Sequence, residues 1–265
     1  MSAEGAPAGA SEYGLLSRPA YRGEFAVRYA EFRPRPPEDL FALLLSLAPA
    51  RPPELVVDLG AGTGISTAPW SGRARHVVGI ELNPDMLQAA IRAPGIEYLQ
   101  ASAPRTGLPG VCADIVTCAQ SLHWLEAGPA ITEIARILRP GGVFAAYDYD
   151  WPPLIDWEID EAFLHVIEAA GVDPSRPEKA RHVENLRNSG QFRAVREVFL
   201  HTRQLAPAAH VAQLPLVFGP VARRRAEGAT ERDLGLDRLA EAARRRLKPD
   251  ANVLWWSYRV RVAVK

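Results

Sequence analysis

The chain has little of what marks several large classes of protein. Only two of its 265 residues are cysteines, Cys112 and Cys118, and they lie too close together to staple a fold. They have no histidine or cysteine neighbours at zinc-site spacing, and the acids show no regular metal spacing, so we expect reduced thiols and no metal. No apolar run approaches about 18 residues, so no transmembrane helix is expected. These absences favour a cytoplasmic protein.

Charges of the two signs balance. There are 31 Lys and Arg residues against 31 Asp and Glu residues, and the isoelectric point is near 7.0. Because a strongly basic chain would favour nucleic acid or a membrane surface, this balance favours neither partner and leaves a small-molecule substrate. Residues 1–12 are small and polar and lack the features of a signal peptide, so a disordered lead-in is expected. The sequence leaves a monomer and a homodimer equally open.

The most informative stretch is residues 54–81, ELVVDLGAGTGISTAPWSGRARHVVGIE. Its apolar, β-branched start at residues 55–57 is typical of a strand buried on both faces. Asp58 follows, and then Gly60, Gly62 and Gly64 come within five residues. Such glycines let a backbone turn sharply and approach a ligand, because they have no Cβ and tolerate positive φ. A glycine-rich turn without a ligand is the alternative interpretation.

Two features after the glycines extend this prediction. Thr63, Ser66 and Thr67 are candidates to cap a following helix, whose first N–H groups would point at the ligand. A second apolar run, residues 76–80, ends in Glu81. An acid at the end of the second strand is where a ribose diol is usually held.

The glycine spacing indicates which cofactor is expected. The dinucleotide pattern is G-x-G-x-x-G, whereas this chain has an acid followed by G-x-G-x-G. That arrangement resembles motif I of the class I S-adenosylmethionine (SAM) dependent methyltransferases. Three further segments resemble the methyltransferase type 11, trans-aconitate-methyltransferase-like subgroup: Y-x-x-x-R-P at 29–34, A-x-x-x-H-W at 119–124 and L-R-P-G-G at 138–142. The resemblance covers about residues 25–150.

The resemblance implies SAM as cofactor and a set of residues that contact it. Arg33 would pair with the cofactor carboxylate, and Ser102 and Ala103 would lie against the adenine. Many relatives have an acid just after this pair, where this chain has Pro104. The implied cofactor residues are Tyr29, Arg33, Asp58, Gly60, Ala61, Gly62, Gly64, Glu81, Leu82, Met86, Ser102, Ala103 and Gln120.

His123 is the candidate general base. An imidazole titrates near neutrality, and this one follows the fourth strand, where catalytic groups usually lie. The alternative is a histidine that only supports the pocket, because methyl transfer needs a base only if the acceptor must lose a proton. Candidate substrate-binding residues are Tyr13, Tyr21, Trp124, Tyr147, Asp148 and Trp151. Core packing, for Trp124, and turn capping, for Asp148, are the alternatives.

The element order and the resemblance together predict an α/β fold. We expect a doubly wound, Rossmann-like, seven-stranded, mostly parallel sheet with helices on both faces and an antiparallel last strand. A helical cap would come from the N-terminus and from an insertion after the fifth strand. We predict one domain, 1–265, divided into a lead-in (1–12), a lid (13–36), a SAM-binding core (37–150), a cap insertion (151–190) and C-terminal strands and helices (191–265).

The predicted function is SAM-dependent methyl transfer to a small molecule, giving S-adenosylhomocysteine, in the manner of secondary metabolism. Fold alone does not fix a reaction, so the same fold used by a lyase or cyclase, or as a non-catalytic binding subunit, is the alternative. A nicotinamide oxidoreductase is disfavoured by the glycine spacing. The acceptor atom is not indicated by any motif.

Overall fold

A computed structural model describes residues 24–172 and 181–265, with side chains from residue 28 onward. The lead-in, residues 13–23 of the expected lid, with Tyr13 and Tyr21, and residues 173–180 of the cap insertion therefore lie outside the described residues. No helix within the described ranges combines the length and the apolar character that a membrane span requires.

The described chain forms one seven-stranded sheet in the order β3-β2-β1-β4-β5-β7-β6. Strands β1 to β5 run parallel, and β7 is antiparallel to both β5 and β6. This confirms the predicted sheet and its antiparallel end. The strands are β1 Leu55–Leu59, β2 His76–Glu81, β3 Ile96–Gln100, β4 Ala113–Ala119, β5 Leu138–Tyr149, β6 Ala194–Ala206 and β7 Asn252–Val264.

Helices cover both faces of this sheet. They are α1 Glu24–Phe32, α2 Glu38–Leu47, α3 Pro84–Gln88, α4 Ala127–Ile137, α5 Trp157–Ala169, α6 Arg181–Asn188, α7 Ala208–Gln213, α8 Gly219–Ala226 and α9 Leu236–Arg246. Short 3₁₀ turns occupy Ala68–Trp70, Leu122–Trp124 and Leu214–Val217. The Asn83 side chain caps α3 by accepting from the backbone N–H groups of Asp85 and Met86, as its sequence predicts.

The helix predicted after the glycine turn is wrong. Residues 60–75 form turns around the 3₁₀ turn Ala68–Trp70. The physical reason lies in the candidate capping hydroxyls: Ser66 and Thr67 both donate to the buried Asp58 carboxylate at 2.7 Å, so they cap nothing.

The sheet separates two apolar layers, and β5 shows which residues belong to which. Tyr147 and Tyr149 belong to the layer formed with α2, α5 and α7 to α9. Phe144 and Ala146 belong to the layer formed with α4 and α6. Because side chains alternate along a strand, Asp148 shares the second face, opposite Tyr147. The prediction that Tyr147 and Asp148 cluster in one site is therefore wrong.

Candidate functional site

A cleft of about 470 Å³ lies at the carboxyl ends of β1, β4 and β5, beside the segment that follows α1. Ligands of open α/β sheets bind at this edge. Seven of the sequence-predicted residues lie on its wall: Tyr29, Arg33, Gly60, Ala61, Gly62, Gln120 and Tyr147. The structure therefore brings the N-terminal segment, the glycine turn and the ends of β4 and β5 together, although these are far apart in sequence.

Backbone hydrogen bonds to β2 and close packing against Ser121 hold the glycine turn in place. The backbone N–H groups of Gly60 and Ala61 both donate to the carbonyl of Ile80, at 2.8 and 3.0 Å. Gly60 has a φ of +69°, and a Cβ there would lie 2.7 Å from Ser121. A larger residue therefore has no room, and the turn must stay close to β4. Gly62, with a φ of +55°, faces the cleft. A Cβ at this position would lie no nearer than 3.4 Å to any neighbouring heavy atom.

Asp58 lies behind the turn and not on the cleft wall. Its side chain is fully buried, and its carboxylate accepts hydrogen bonds from Ser66, Thr67 and Thr117, each at 2.7 Å. Burial raises the pKa of this carboxyl, and the three hydroxyl donors oppose that shift. Asp58 thus holds the turn in place, which differs from the direct cofactor contact expected from the sequence.

Glu81, at the end of β2, organises the other side of the turn. One carboxylate oxygen accepts from the backbone N–H of Gly62 at 2.8 Å, and the other accepts from that of Asn83 at 2.9 Å. Burial raises the pKa of Glu81, and these two N–H groups act against it. Each oxygen still has a second lone pair, so the carboxylate can also accept from the hydroxyl groups of a ligand.

Arg33 supplies the one charged side chain among the described residues that line the cleft. Its guanidinium lies over the Tyr29 ring, 4.3 Å from the centroid, and donates to the Tyr149 hydroxyl and to the carbonyl of Val217. The N-terminal segment is thereby tied to the core at the cleft. The cation thus lies on the cleft wall, and its contact with the cofactor carboxylate, which the resemblance implies, stays a prediction.

Two buried hydroxyl groups on the cleft wall make no hydrogen bond within the described part of the chain. They are Thr63 Oγ1 and Tyr147 Oη, and both residues are at most 2% exposed. Burial also raises the pKa of Tyr147 well above its usual range. Because buried polar groups are normally paired, two unpaired hydroxyls on one wall indicate that the cleft accommodates a polar ligand.

The remaining predicted cofactor residues lie around the cleft without lining it. Gly64 packs under the turn against Tyr98, and Met86 lies beneath Gly62. Ala103 is buried in the second apolar layer, and Ser102 forms a bridge with Arg105. These residues and Leu82 are not brought onto the cleft wall, so their cofactor contacts remain predictions.

His123 is not part of the cleft wall either. Its Nδ1 lies 3.7 Å from Asp148 Oδ1, and its ring packs on that of Trp124 at 4.6 Å between centroids. His123 comes three residues after Gln120, whose backbone adopts a φ of +51° as the chain leaves β4. Trp151 packs against Phe163 and Trp256 on the other face and is not on the cleft wall, so its substrate contact stays a prediction.

Sequence reasoning missed several residues of the cleft wall. These are Pro34, Pro36, Thr63, Ile65, Tyr149 and Tyr258. Thr63 lies between Gly62 and Gly64, and Ile65 follows Gly64 directly, so their positions beside the glycines are a usable signal. Tyr258 comes from β7 and reaches the cleft only because β7 pairs with β5, so no local pattern identifies it.

Comparison with known proteins bears on the same segment. Residues 57–146, from β1 to β5, match the model of a methyltransferase domain family. This segment is therefore similar to a methyltransferase domain. It contains the glycine turn, Glu81 and the turn with His123, whereas Arg33 and Tyr258 lie outside the matched range.

The chain is similar to curated relatives over only part of its length. Trans-aconitate 2-methyltransferase of Azoarcus sp. (strain BH72) is 33% identical over 141 residues, which cover 51% of this chain and 54% of the relative. An uncharacterized methyltransferase of Mycobacterium tuberculosis is 38% identical over 115 residues, which cover 43% of this chain and 46% of the relative. The chain thus spans about half the length of the curated relatives it matches.

A solved structure extends the likeness to nearly the whole chain. A protein of Anaeromyxobacter dehalogenans, assigned as a type II methyltransferase, superposes with a TM-score of 0.71 at 26% identity. The superposition covers 88% of this chain and 98% of the other. The likeness of fold therefore extends well beyond residues 57–146.

Proposed function

We propose that the chain is a SAM-dependent methyltransferase that acts on a small molecule. The observation that supports this best is the cleft itself, where Arg33 meets the glycine turn of the segment that matches a methyltransferase domain, and where Glu81 accepts from the N–H of the cleft residue Gly62. When bound, SAM supplies an electrophilic methyl group on a sulfonium. The described residues supply the binding groups, their orientation and the exclusion of water.

The residues present fit such a ligand. SAM combines a carboxylate, an ammonium group and a ribose diol, which call for a cation, hydroxyl or carbonyl acceptors, and a carboxylate. Arg33 offers the cation, and Thr63 and Tyr147 offer buried hydroxyls without partners among the described residues. Glu81 offers carboxylate lone pairs at the end of β2. We assign Arg33 to the carboxylate and Glu81 to the ribose.

We infer that His123 takes a proton from the acceptor where the acceptor must lose one. The supporting observation is its place in the turn after β4, three residues from the cleft residue Gln120 and beside the Asp148 carboxylate. The proposal also includes a small-molecule acceptor, a place in secondary metabolism and a cytoplasmic location. It further includes a single domain that acts as a monomer or homodimer. The alternative, a lyase or cyclase reaction on the same fold, would use the cleft without methyl transfer.

The test is to incubate the purified chain with extract and SAM labelled at the methyl group, followed by mass spectrometry. The proposal predicts an extract metabolite that gains the labelled methyl and an equal amount of S-adenosylhomocysteine. A new product without label, formed only when SAM is present, would support the lyase or cyclase alternative instead. Omission of enzyme and a Gly62→Val variant, which blocks the cleft side of the turn, serve as controls.

A further inference from the structure

A row of charged side chains crosses β5, β7 and β6 on the face of the sheet opposite Tyr147 and Tyr149, and it leads to the turn after β4 that carries the cleft residue Gln120. Arg261 of β7 is fully buried, donates through Nη1 to Asp148 Oδ2 of β5, and donates through Nε to Glu197 Oε2 of β6 at 3.0 Å. Asp148 is itself only 2% exposed. The other oxygen of Asp148 lies 3.7 Å from Nδ1 of His123. The row thus ends at the histidine that follows β4.

The chemistry of arginine assigns the two oxygens of Asp148 to different partners. A guanidinium can only donate hydrogen bonds, so Oδ2 is committed to Arg261 and Oδ1 is directed toward His123. An acceptor oxygen opposite Nδ1 stabilises a proton on that nitrogen, and the lone pair is then on Nε2. The separation of 3.7 Å exceeds a hydrogen bond, and contacts of this kind often tighten only when substrate is bound.

We propose that Asp148, held in place by Arg261, is a positioning residue that sets the tautomer of His123, with the proton on Nδ1 and the basic lone pair on Nε2. The inference rests on the proposed function, in which His123 is the base. In the reaction, the acceptor X–H bond breaks, its proton goes to Nε2 to form an imidazolium, and X forms a bond to the methyl group of SAM as the carbon–sulfur bond breaks. Asp150 and Arg259, whose charged atoms lie 4.0 Å apart, form a neighbouring ion pair on the same face of the sheet.

The tautomer can be measured without knowing the acceptor. Long-range ¹⁵N–¹H correlation spectra at about pH 8.5, where an unperturbed imidazole is neutral, distinguish the two tautomers by their nitrogen shifts. The chain has 6 histidines, and the signal that disappears in His123→Gln belongs to His123. The proposal predicts the Nδ1–H form in the wild type. The Nε2–H form there would overturn it.

Asp148→Asn gives a second, sharper prediction. Because Arg261 can only donate, we expect the asparagine oxygen to face Arg261 and the NH₂ group to face Nδ1 of His123. His123 should therefore change to the Nε2–H tautomer, and turnover should fall by about 10²–10⁴-fold with SAM affinity unchanged, since SAM is not bound by this residue. An unchanged tautomer in this variant contradicts the proposal.

The control is Asp114→Asn. Asp114 is also buried and paired with an arginine, Arg139, at 2.9 Å, but it lies at the amino end of β4, away from His123. This variant should lose stability and keep the wild-type tautomer of His123. If Asp148→Asn does not fold, the double variant Asp148→Asn/Arg261→Met removes the buried cation that has lost its carboxylate partner on β5. With the amide no longer oriented by Arg261, it should show both tautomers, and a single Nδ1–H form would count against the proposal.

Failure of this inference differs from failure of the proposed function. A wild type that binds SAM but has the Nε2–H tautomer at His123 refutes the positioning role of Asp148 alone. A wild type that binds no SAM refutes the proposed function, whatever tautomer is observed.

Discussion

The glycine turn allows a prediction in which two similar substitutions have different costs. Gly64 and Gly62 both have positive φ, of +77° and +55°. Alanine in this region costs about 1–2 kcal/mol at either position. At Gly64, however, the new Cβ would clash with the hydroxyl of Tyr98, and it would lie 3.2 Å from the backbone nitrogen of Ile91. At Gly62 the nearest atom, in Met86, is 3.4 Å away, which is an ordinary contact.

The size of the expected loss of stability in Gly64→Ala follows from the hydrogen bond that Tyr98 would lose. Its hydroxyl donates to the carbonyl of Ile91 at 2.8 Å, and displacing it loses about 1 kcal/mol and strains the loop. We therefore expect Gly64→Ala to lower the free energy of unfolding by about 2–4 kcal/mol and Gly62→Ala by about 1–2 kcal/mol. Urea unfolding followed by circular dichroism measures both, because the difference is large compared with the error of the midpoint.

A double-mutant cycle tests the assigned cause. Tyr98→Phe removes the clashing oxygen, so Gly64→Ala should cost about 1 kcal/mol less in that background than in the wild type. Tyr98→Phe combined with Gly62→Ala should be additive and serves as the control. Equal losses at the two glycines, or additivity of Gly64→Ala with Tyr98→Phe, would refute this account of the turn.

Two further predictions concern carboxylates. Glu81→Gln should raise the dissociation constant of SAM by about 10–100-fold in calorimetric titrations, because a charged acceptor is lost, whereas the exposed Glu97→Gln should have no effect. Hydrogen bonds from Arg136, and to a lesser degree from Thr106, lower the pKa of Glu133 from 4.5 to about 2. The stability that Glu133 contributes is therefore fully present above about pH 4.5 and is lost as the pH falls toward 2. The difference in unfolding free energy between wild type and Glu133→Gln should shrink over that range, and a constant difference would show that the ion pair is not its source.

The sequence predicts those parts of the site whose chemistry is local. The glycine spacing and Glu81 follow directly from the chain between two strands, and the structure places them together. The burial of Asp58 could not be predicted, because one of its three partners, Thr117, comes from a strand about sixty residues away. Tyr258 joins the cleft only through antiparallel pairing at the end of the chain.

One error was avoidable from the sequence alone. Tyr147 and Asp148 are neighbours in a predicted strand, and neighbours in a strand point to opposite faces. Strand alternation therefore already assigns them to different environments. The helix predicted after the glycines could not be excluded in this way, because the competing partner of Ser66 and Thr67 is a carboxylate that only the folded turn brings near.

The central claim is that SAM occupies the cleft between Arg33 and Glu81. A crystal structure of the chain grown with saturating S-adenosylhomocysteine tests it directly. We predict density for the ligand against Gly62, with its carboxylate at Arg33 and its ribose hydroxyls at Glu81. A cleft that stays empty at saturation, or a ligand bound elsewhere on the chain, would contradict the claim.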